Sequence, residues 1–237
     1  MSWKFLESAA VPDGGKLHLY QQGEHFMIRA AGTELMASQD FSSEQALASL
    51  ACEQVGQQRH VRFLVGGLGM GYTLAAALRL LRADAEVVVA ELVPDVVRWN
   101  RERFGHLAAY PLEDARVCIH HGDVAQLLRN ARSEYDAILL DVDNGPEGLT
   151  RVKNDWLYGS TGLRNARRAL RANGVLGVWS ADDDQRFSLR LRRSGFQVEI
   201  CRAREVRGRR RSRHVIWMAT ANEQHEVDAT PRLGRAR

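Results

Sequence analysis

The chain has 237 residues, 45% of them hydrophobic, enough to bury the core of one main α/β domain with a small appendage. No run approaches the roughly 20 apolar residues of a membrane span, and the start, Met1-Ser2-Trp3-Lys4-Phe5-Leu6-Glu7, lacks the basic-then-apolar layout of a signal peptide. The net charge of +4 is modest, and Cys52, Cys118 and Cys201 stand far apart without metal-ligand spacing, so the expectation is a cytoplasmic, metal-free protein with free thiols.

Short strands are expected first, over 17–20, 26–29 and 34–36, with Gly23 and Gly32 supplying the turns. A helix follows from about Ser43 to Gln54, capped by Ser42 or Ser43, with Leu47, Leu50 and Ala51 on one face. From residue 60 the period changes. Apolar strands near 61–65, 86–91, 116–120, 136–141 and 175–179 alternate with helices, which predicts a mostly parallel sheet covered on both faces. Pro94 starts one helix at a favoured position, and Asn173-Gly174 is expected to end another begun near Gly162. Strands over 196–200 and 214–220 follow each other without a helix between them, so the last pair must be antiparallel. The fold class is thus α/β and Rossmann-like, with an antiparallel last strand and a small N-terminal β-rich region. The expected domains are 1–55, 56–221 and a polar tail, 222–237.

Three loops outline a ligand cleft at the carboxyl ends of adjacent strands, where open α/β sheets bind ligands. Gly66-Gly67-Leu68-Gly69-Met70-Gly71 lies between the first parallel strand and its helix, where backbone amides can approach a ligand closely. Glu91 ends the next strand, placed to accept both hydroxyls of an adenosine ribose. Asp123 follows the third strand, able to meet the adenine amine, with Val124 flanking the ring; the same aspartate is also a natural helix cap. The fourth strand runs into Asp141-Val142-Asp143-Asn144-Gly145-Pro146. Asp141 there is the candidate base, and Asp143 and Asn144 suit a cationic or amine substrate, although the same residues also make a capped turn.

The order of glycine loop, Glu91, Gly122-Asp123, Tyr135-Asp136-Ala137-Ile138-Leu139-Leu140-Asp141 and Gly145-Pro146 resembles the spermidine and spermine synthase family. The resemblance implies a class I methyltransferase fold behind an N-terminal β-domain, a homodimer, and transfer of an aminopropyl group from decarboxylated S-adenosylmethionine to a polyamine. It makes Glu91 the ribose acid, Asp123 the adenine contact and Asp141 the catalytic acid. Glu44, in Phe41-Ser42-Ser43-Glu44, stands nearest to the family's polyamine motif, and Tyr158 joins it among the substrate residues. Two departures are plain. Gly69 replaces an aspartate typical of the family's glycine loop, and the acidic stretch after Asp141 is shortened.

The leading expectation is therefore a spermidine synthase-like transferase using S-adenosylmethionine or its decarboxylated form, without metal and away from membranes. A methyltransferase using S-adenosylmethionine itself is the alternative, supported by Gly69. A non-catalytic adenosyl- or nucleic-acid-binding relative is the third reading. It rests on Arg202, Arg204, Arg207, Arg209, Arg210, Arg211 and Arg213, which can collect phosphates. Arginine is this chain's default cation, with only Lys4, Lys16 and Lys153 as lysines, so a solvated turn ranks ahead of nucleic acid.

Overall fold

Four antiparallel strands open the computed structural model: β1 (Lys4–Ala10), β2 (Lys16–Gln22), β3 (His25–Ala30) and β4 (Thr33–Ala37), paired in that order. The structure describes residues 2–12, 14–39, 41–142, 145–146, 154–207 and 210–221, with backbone alone at 154–155, 204–207 and 210–213. The expected tail, 222–237, lies outside the described residues. β2 to β4 fall where alternation places them. β1 is an addition: it buries only Ala9, and an exposed edge strand carries almost no period-two signal.

Seven strands form the larger sheet: β5 (Arg62–Gly66), β6 (Glu86–Glu91), β7 (Val117–His121), β8 (Tyr135–Leu140), β9 (Leu170–Ser180), β10 (Phe196–Arg207) and β11 (Arg210–Ala221). Their order is β10-β11-β9-β8-β5-β6-β7. β5 to β9 pair in parallel, whereas β11 is antiparallel to both β9 and β10. This is the class I methyltransferase-like fold. Val87 to Ala90 are all buried, as a strand covered on both faces requires.

Helices α1 (Ser42–Val55), α2 (Tyr72–Leu80) and α3 (Pro94–Trp99) cover one face, and α4 (Val124–Asn130), α5 (Asn154–Tyr158), α6 (Ser160–Ala169) and α7 (Gln185–Arg193) the other. α1 packs Leu47, Ala48 and Ala51 into the same cluster as Phe63, Val65 and Leu74 of the larger sheet and its first helix. Its N-cap is Phe41, not a serine; Ser43 Oγ instead donates to Glu44 Oε2 at 2.7 Å. α6 also ends earlier than expected, at Ala169. Leu170 already pairs with Tyr135, and residues 171–174 then bulge out before Val175 pairs with Ala137. The bulge is held by Arg171, whose Nη1 lies 2.6 Å from Asp136 Oδ2, and Asn173 takes its left-handed φ of 60° there rather than in a helix cap. No helix among the described residues is long and apolar enough to cross a membrane.

The α7 side of the core contains one buried polar pair: Trp217 Nε1 donates to Ser188 Oγ at 2.7 Å. Ser188→Ala leaves that indole N–H without its acceptor in a dry interior. It should lower stability by about 1–3 kcal/mol, seen as a lower urea midpoint at unchanged slope. An unchanged midpoint would mean the bond contributes nothing.

Candidate active site

Backbone hydrogen bonds lace the loops that follow neighbouring strands. Gly67 N donates to Ala90 O, Gly122 N to Glu91 O, and Asp141 N to Gly66 O, each at 2.9 Å. The ends of β5, β6, β7 and β8 are thereby held level, and the sequence-predicted residues Gly66, Gly67, Glu91, Asp123 and Asp141 come to one edge of the sheet.

Gly67 has φ of 88°, and a Cβ on it would run into the Asp141 carbonyl oxygen. A glycine is needed there because the cofactor-loop candidate and the end of β8 touch backbone to backbone. Gly69 has φ of 51°, and a Cβ on it would lie 2.6 Å from Met36 Cε, so the N-terminal sheet closes over the loop through β4. Asn100 Nδ2 donates to Gly69 O at 2.8 Å and to Val96 O at 2.9 Å, which fixes the loop from the α3 side. Gly71 is the N-cap residue of α2.

Glu91 is 7% exposed. Its Oε2 accepts from Leu68 N at 2.9 Å and its Oε1 from Val93 N at 2.8 Å. Burial raises its carboxyl above the usual range, and these backbone donors pull it back down. The Leu92 and Gly69 backbone amides lower it as well. A buried acceptor fixed against a loop too crowded for Cβ atoms is an arrangement in which Glu91 and the Gly67–Gly69 backbone could hold an adenosyl group.

Asp123 serves as the cap of α4, its Oδ1 accepting from Ala125 N at 2.9 Å. Val124 is buried, with its Cγ2 about where a Gly66 Cβ would touch it, at 3.0 Å. It therefore packs the first turn of α4 against the glycine loop.

Asp141 stands one residue past β8 and is partly buried. Thr73 Oγ1, in the first turn of α2, donates to its Oδ2 at 2.7 Å. Burial pushes the carboxyl up to about 6, opposed by the Thr73 hydroxyl and by the charge of His214. Glu44 is buried in the first turn of α1. Its charge, together with burial as the larger cause, pushes the Tyr72 hydroxyl up to about 12. Tyr72 stacks on Phe41 at 4.5 Å and donates to Ser38 O at 3.1 Å. Glu44 thus belongs to the same corner as Thr73 and Asp141, reached through Tyr72.

Tyr158 sits elsewhere. It is fully buried in the cluster on the opposite face, edge-on to Phe187 at 5.7 Å, and its hydroxyl donates to Val142 O at 3.3 Å. It braces the segment after Asp141. Asp143 and Asn144 lie outside the described residues. So do the side chains of 204–213, and with them most of the arginine cluster; Arg202 pairs with Asp183 at 2.9 Å.

Sequence reasoning missed Met36, Thr73, Asn100 and His214. Thr73 carried a faint signal, a polar residue among Tyr72, Leu74 and Ala75 at a helix start. His214 carried another, a polar residue in phase with Ile216 and Met218. Met36 and Asn100 carried none.

Sheet order, glycine loop and strand-end acids together define a class I methyltransferase-like protein. Residues 40–184 match the spermine/spermidine synthase domain, and the chain belongs to that family. The polyamine aminopropyltransferase of Nitrosomonas europaea is 30% identical over 154 residues, which cover 64% of this chain and 44% of that protein. The match therefore spans less than half of that relative. Among solved structures, a spermidine synthase in complex with the transition state analogue AdoDATO has a TM-score of 0.71 at 16% identity. The spermidine synthase of Thermotoga maritima has a TM-score of 0.72 at 17% identity. Each covers 92% of this chain and 73% of its own, a likeness of fold.

Proposed function

We propose that this chain transfers an alkyl group, aminopropyl in the first place, from an S-adenosyl sulfonium compound to an amine or polyamine. The observation that carries the reading is the contact between the two halves of the site. The segment that presents Asp141 touches Gly67, and Thr73, just past the glycine loop, holds the Asp141 carboxylate at 2.7 Å. A base fixed beside an adenosyl cradle is what an amine nucleophile needs.

The bound sulfonium supplies an activated carbon and a neutral thioether leaving group. Free alkylamines are protonated below a pKa of about 10, so the site must select or produce the neutral form. The amine lone pair forms the new N–C bond as the C–S electron pair returns to sulfur, and Asp141 accepts the proton that nitrogen loses. Glu44 and, from the sequence, Asp143 and Asn144 supply negative or polar groups for the rest of a cationic acceptor. Glu91 holds the ribose and Asp123 the adenine amine. The homodimer and cytoplasmic location implied by the family resemblance complete the reading.

Incubation with either S-adenosylmethionine or its decarboxylated form, and a panel of linear diamines and triamines, tests it. Release of methylthioadenosine supports aminopropyl transfer. Release of S-adenosylhomocysteine instead identifies a methyltransferase, a second reading that Met36 over Gly69 favours because it leaves no carboxylate for the cofactor's ammonium group. No turnover with any amine overturns both and leaves the adenosyl- or nucleic-acid-binding relative.

The same feature predicts cofactor choice. With Gly69 facing a thioether, S-adenosylmethionine and its decarboxylated form should bind within about tenfold of each other, or 1.4 kcal/mol, in calorimetric titration. A preference of several hundredfold for the decarboxylated form would require another acid at the tail, with Asp143 the candidate.

A further inference from the structure

Three of the helices that cover one face of the large sheet carry an unbalanced charge. α4 contains Arg129, α6 contains Arg164, Arg167 and Arg168, and α7 contains Arg186, Arg190, Arg192 and Arg193. None of the three holds a Lys, Asp or Glu. The whole chain is only +4, so these eight arginines leave the rest of it net negative. Helix C-termini attract cations, but three of them offer only about half a negative charge each. Arg186 even stands in the first turn of α7, where that field opposes it. The excess is far beyond what the helix ends can absorb.

α6 ties the other two helices together at their C-terminal ends. Arg168 Nη2 donates to Arg129 O at 2.9 Å, and a Cβ on Gly195, just past α7, would lie 3.1 Å from Arg167 Cζ. Ser133 N and Glu134 N, at the start of β8, donate to Arg168 O and Ala169 O. The helix ends therefore meet at the opposite edge of the sheet from Asp141 and Glu91. Leu128, Leu163, Ala166, Phe187 and Leu191 turn into the core, whereas Arg129, Arg164, Arg186, Arg192 and Arg193 are exposed. Among the described residues no carboxylate lies within ion-pair distance of Arg129, Arg164, Arg168 or the four arginines of α7. Two acids just before α7 are engaged elsewhere. Asp183 pairs with Arg202, and Asp184 Oδ1 accepts from the Arg186 and Phe187 amides.

We propose that this arginine face binds the phosphate backbone of nucleic acid, a function separate from the transferase site and independent of that reading. A guanidinium presents a planar fork of donors that matches a phosphate, which a point-like ammonium does not. Arg129 is already set over the Trp156 ring, 4.0 Å from its centroid, so less freedom is lost when it meets an anion. Other occupants fit less well. A helix lying on a membrane inserts apolar side chains, but Leu189 is the one large apolar residue these helices expose among the described residues. A second copy docked symmetrically would set arginine against arginine. Contacts to phosphate carry no sequence information, so the binding is sequence-independent.

Fluorescence anisotropy of the full chain with labelled duplex DNA, duplex RNA and single strands tests the proposal, and the strongest binder identifies the source of the phosphates. With about four phosphates of duplex DNA contacted, affinity should fall about a hundredfold between 50 and 200 mM salt. Arg164→Gln, Arg186→Gln, Arg192→Gln and Arg193→Gln together remove exposed charges and leave Arg168 and Arg190 on the backbone carbonyls they cap. That variant should bind about tenfold more weakly or worse, with a shallower salt slope, while its thermal midpoint and adenosyl binding stay unchanged. Changing Arg207, Arg209, Arg211 and Arg213 to Gln is the control of equal charge. A smaller loss there supports the helix face, and an equal or larger loss overturns it. If the first variant does not fold, Arg192→Gln with Arg193→Gln is compared with Arg211→Gln with Arg213→Gln on the same terms. Binding to no nucleic acid, or to polyglutamate or phosphatidylglycerol vesicles alone, overturns the proposal too. A chain that turns over no amine yet binds in this way refutes the transferase reading and leaves the arginine face standing.

Discussion

Asp141→Asn should lower turnover by about 10²–10⁴ while leaving adenosyl binding nearly unchanged. The substitution keeps the shape of the side chain and an oxygen able to accept from Thr73 Oγ1, which lies 2.7 Å from Oδ2 in the native protein. It removes the negative charge and with it the capacity to take a proton. The backbone of Asp141 is held independently, through its N–H to Gly66 O at 2.9 Å, so the glycine loop keeps its place. In the native protein the carboxyl is pushed up to about 6 by burial, so the base is lost as pH falls through that value and the rate should fall with it. Steady-state kinetics between pH 5 and 9, with calorimetric cofactor titration on both proteins, checks the expectation. Normal turnover in the mutant would refute Asp141 as the base. The pH dependence of stability has the opposite sense. A carboxyl whose folded pKa is raised favours the folded state while protonated and costs stability once ionised, so Asp141→Asn should gain stability relative to the native chain above pH 6.

Glu91→Ala should weaken adenosyl binding by about 1–3 kcal/mol, the cost of hydrogen bonds to a charged group, and should destabilise the glycine loop as well. Leu68 N and Val93 N both donate to this carboxylate, at 2.9 and 2.8 Å, and alanine would leave the two donors buried without it. Glu91→Gln separates the effects. An amide keeps one acceptor oxygen but turns an NH₂ group toward one of the two backbone donors, so loop stability should suffer while shape is kept. Binding enthalpy with methylthioadenosine, read beside hydrogen exchange at Leu68 and Val93, distinguishes the contributions. Unchanged affinity in Glu91→Ala would remove the ribose assignment.

Much of the sheet and the cleft was legible from local pattern. Val87 to Ala90 are apolar throughout because a parallel strand is buried on both faces, and that run ends in Glu91 at the carboxyl edge of the sheet. Asp141 is legible for the same reason, as the first charged residue after Ala137 to Leu140. Glycines stand out because backbone crowding excludes every other side chain. One local signal misled. Asn173-Gly174 has the chemistry of a helix cap, yet the ion pair between Arg171 and Asp136 and the resumed pairing at Val175 draw those residues into a β-bulge. The contacts of Tyr158 with Phe187 and with the Val142 carbonyl follow from the packing of distant segments, which no neighbouring residue encodes.

By itself the amino-acid order determined the alternation of strands and helices, the glycine loop, and the acids that end β6 and β8, because each depends on residues within one or two turns or strand lengths. Tertiary structure decided what those acids touch. Thr73 meets Asp141 across 68 residues and Leu68 meets Glu91 across 23. Met36 comes down on Gly69 from a separate sheet, and His214 joins the Asp141 edge only because β11 inserts beside β9. The proton affinity of a carboxylate depends on the water it loses and the charges brought near it. Both are set by the packing of distant segments, so the place of Asp141 at a strand end could be read along the chain while its proton affinity was set by the fold.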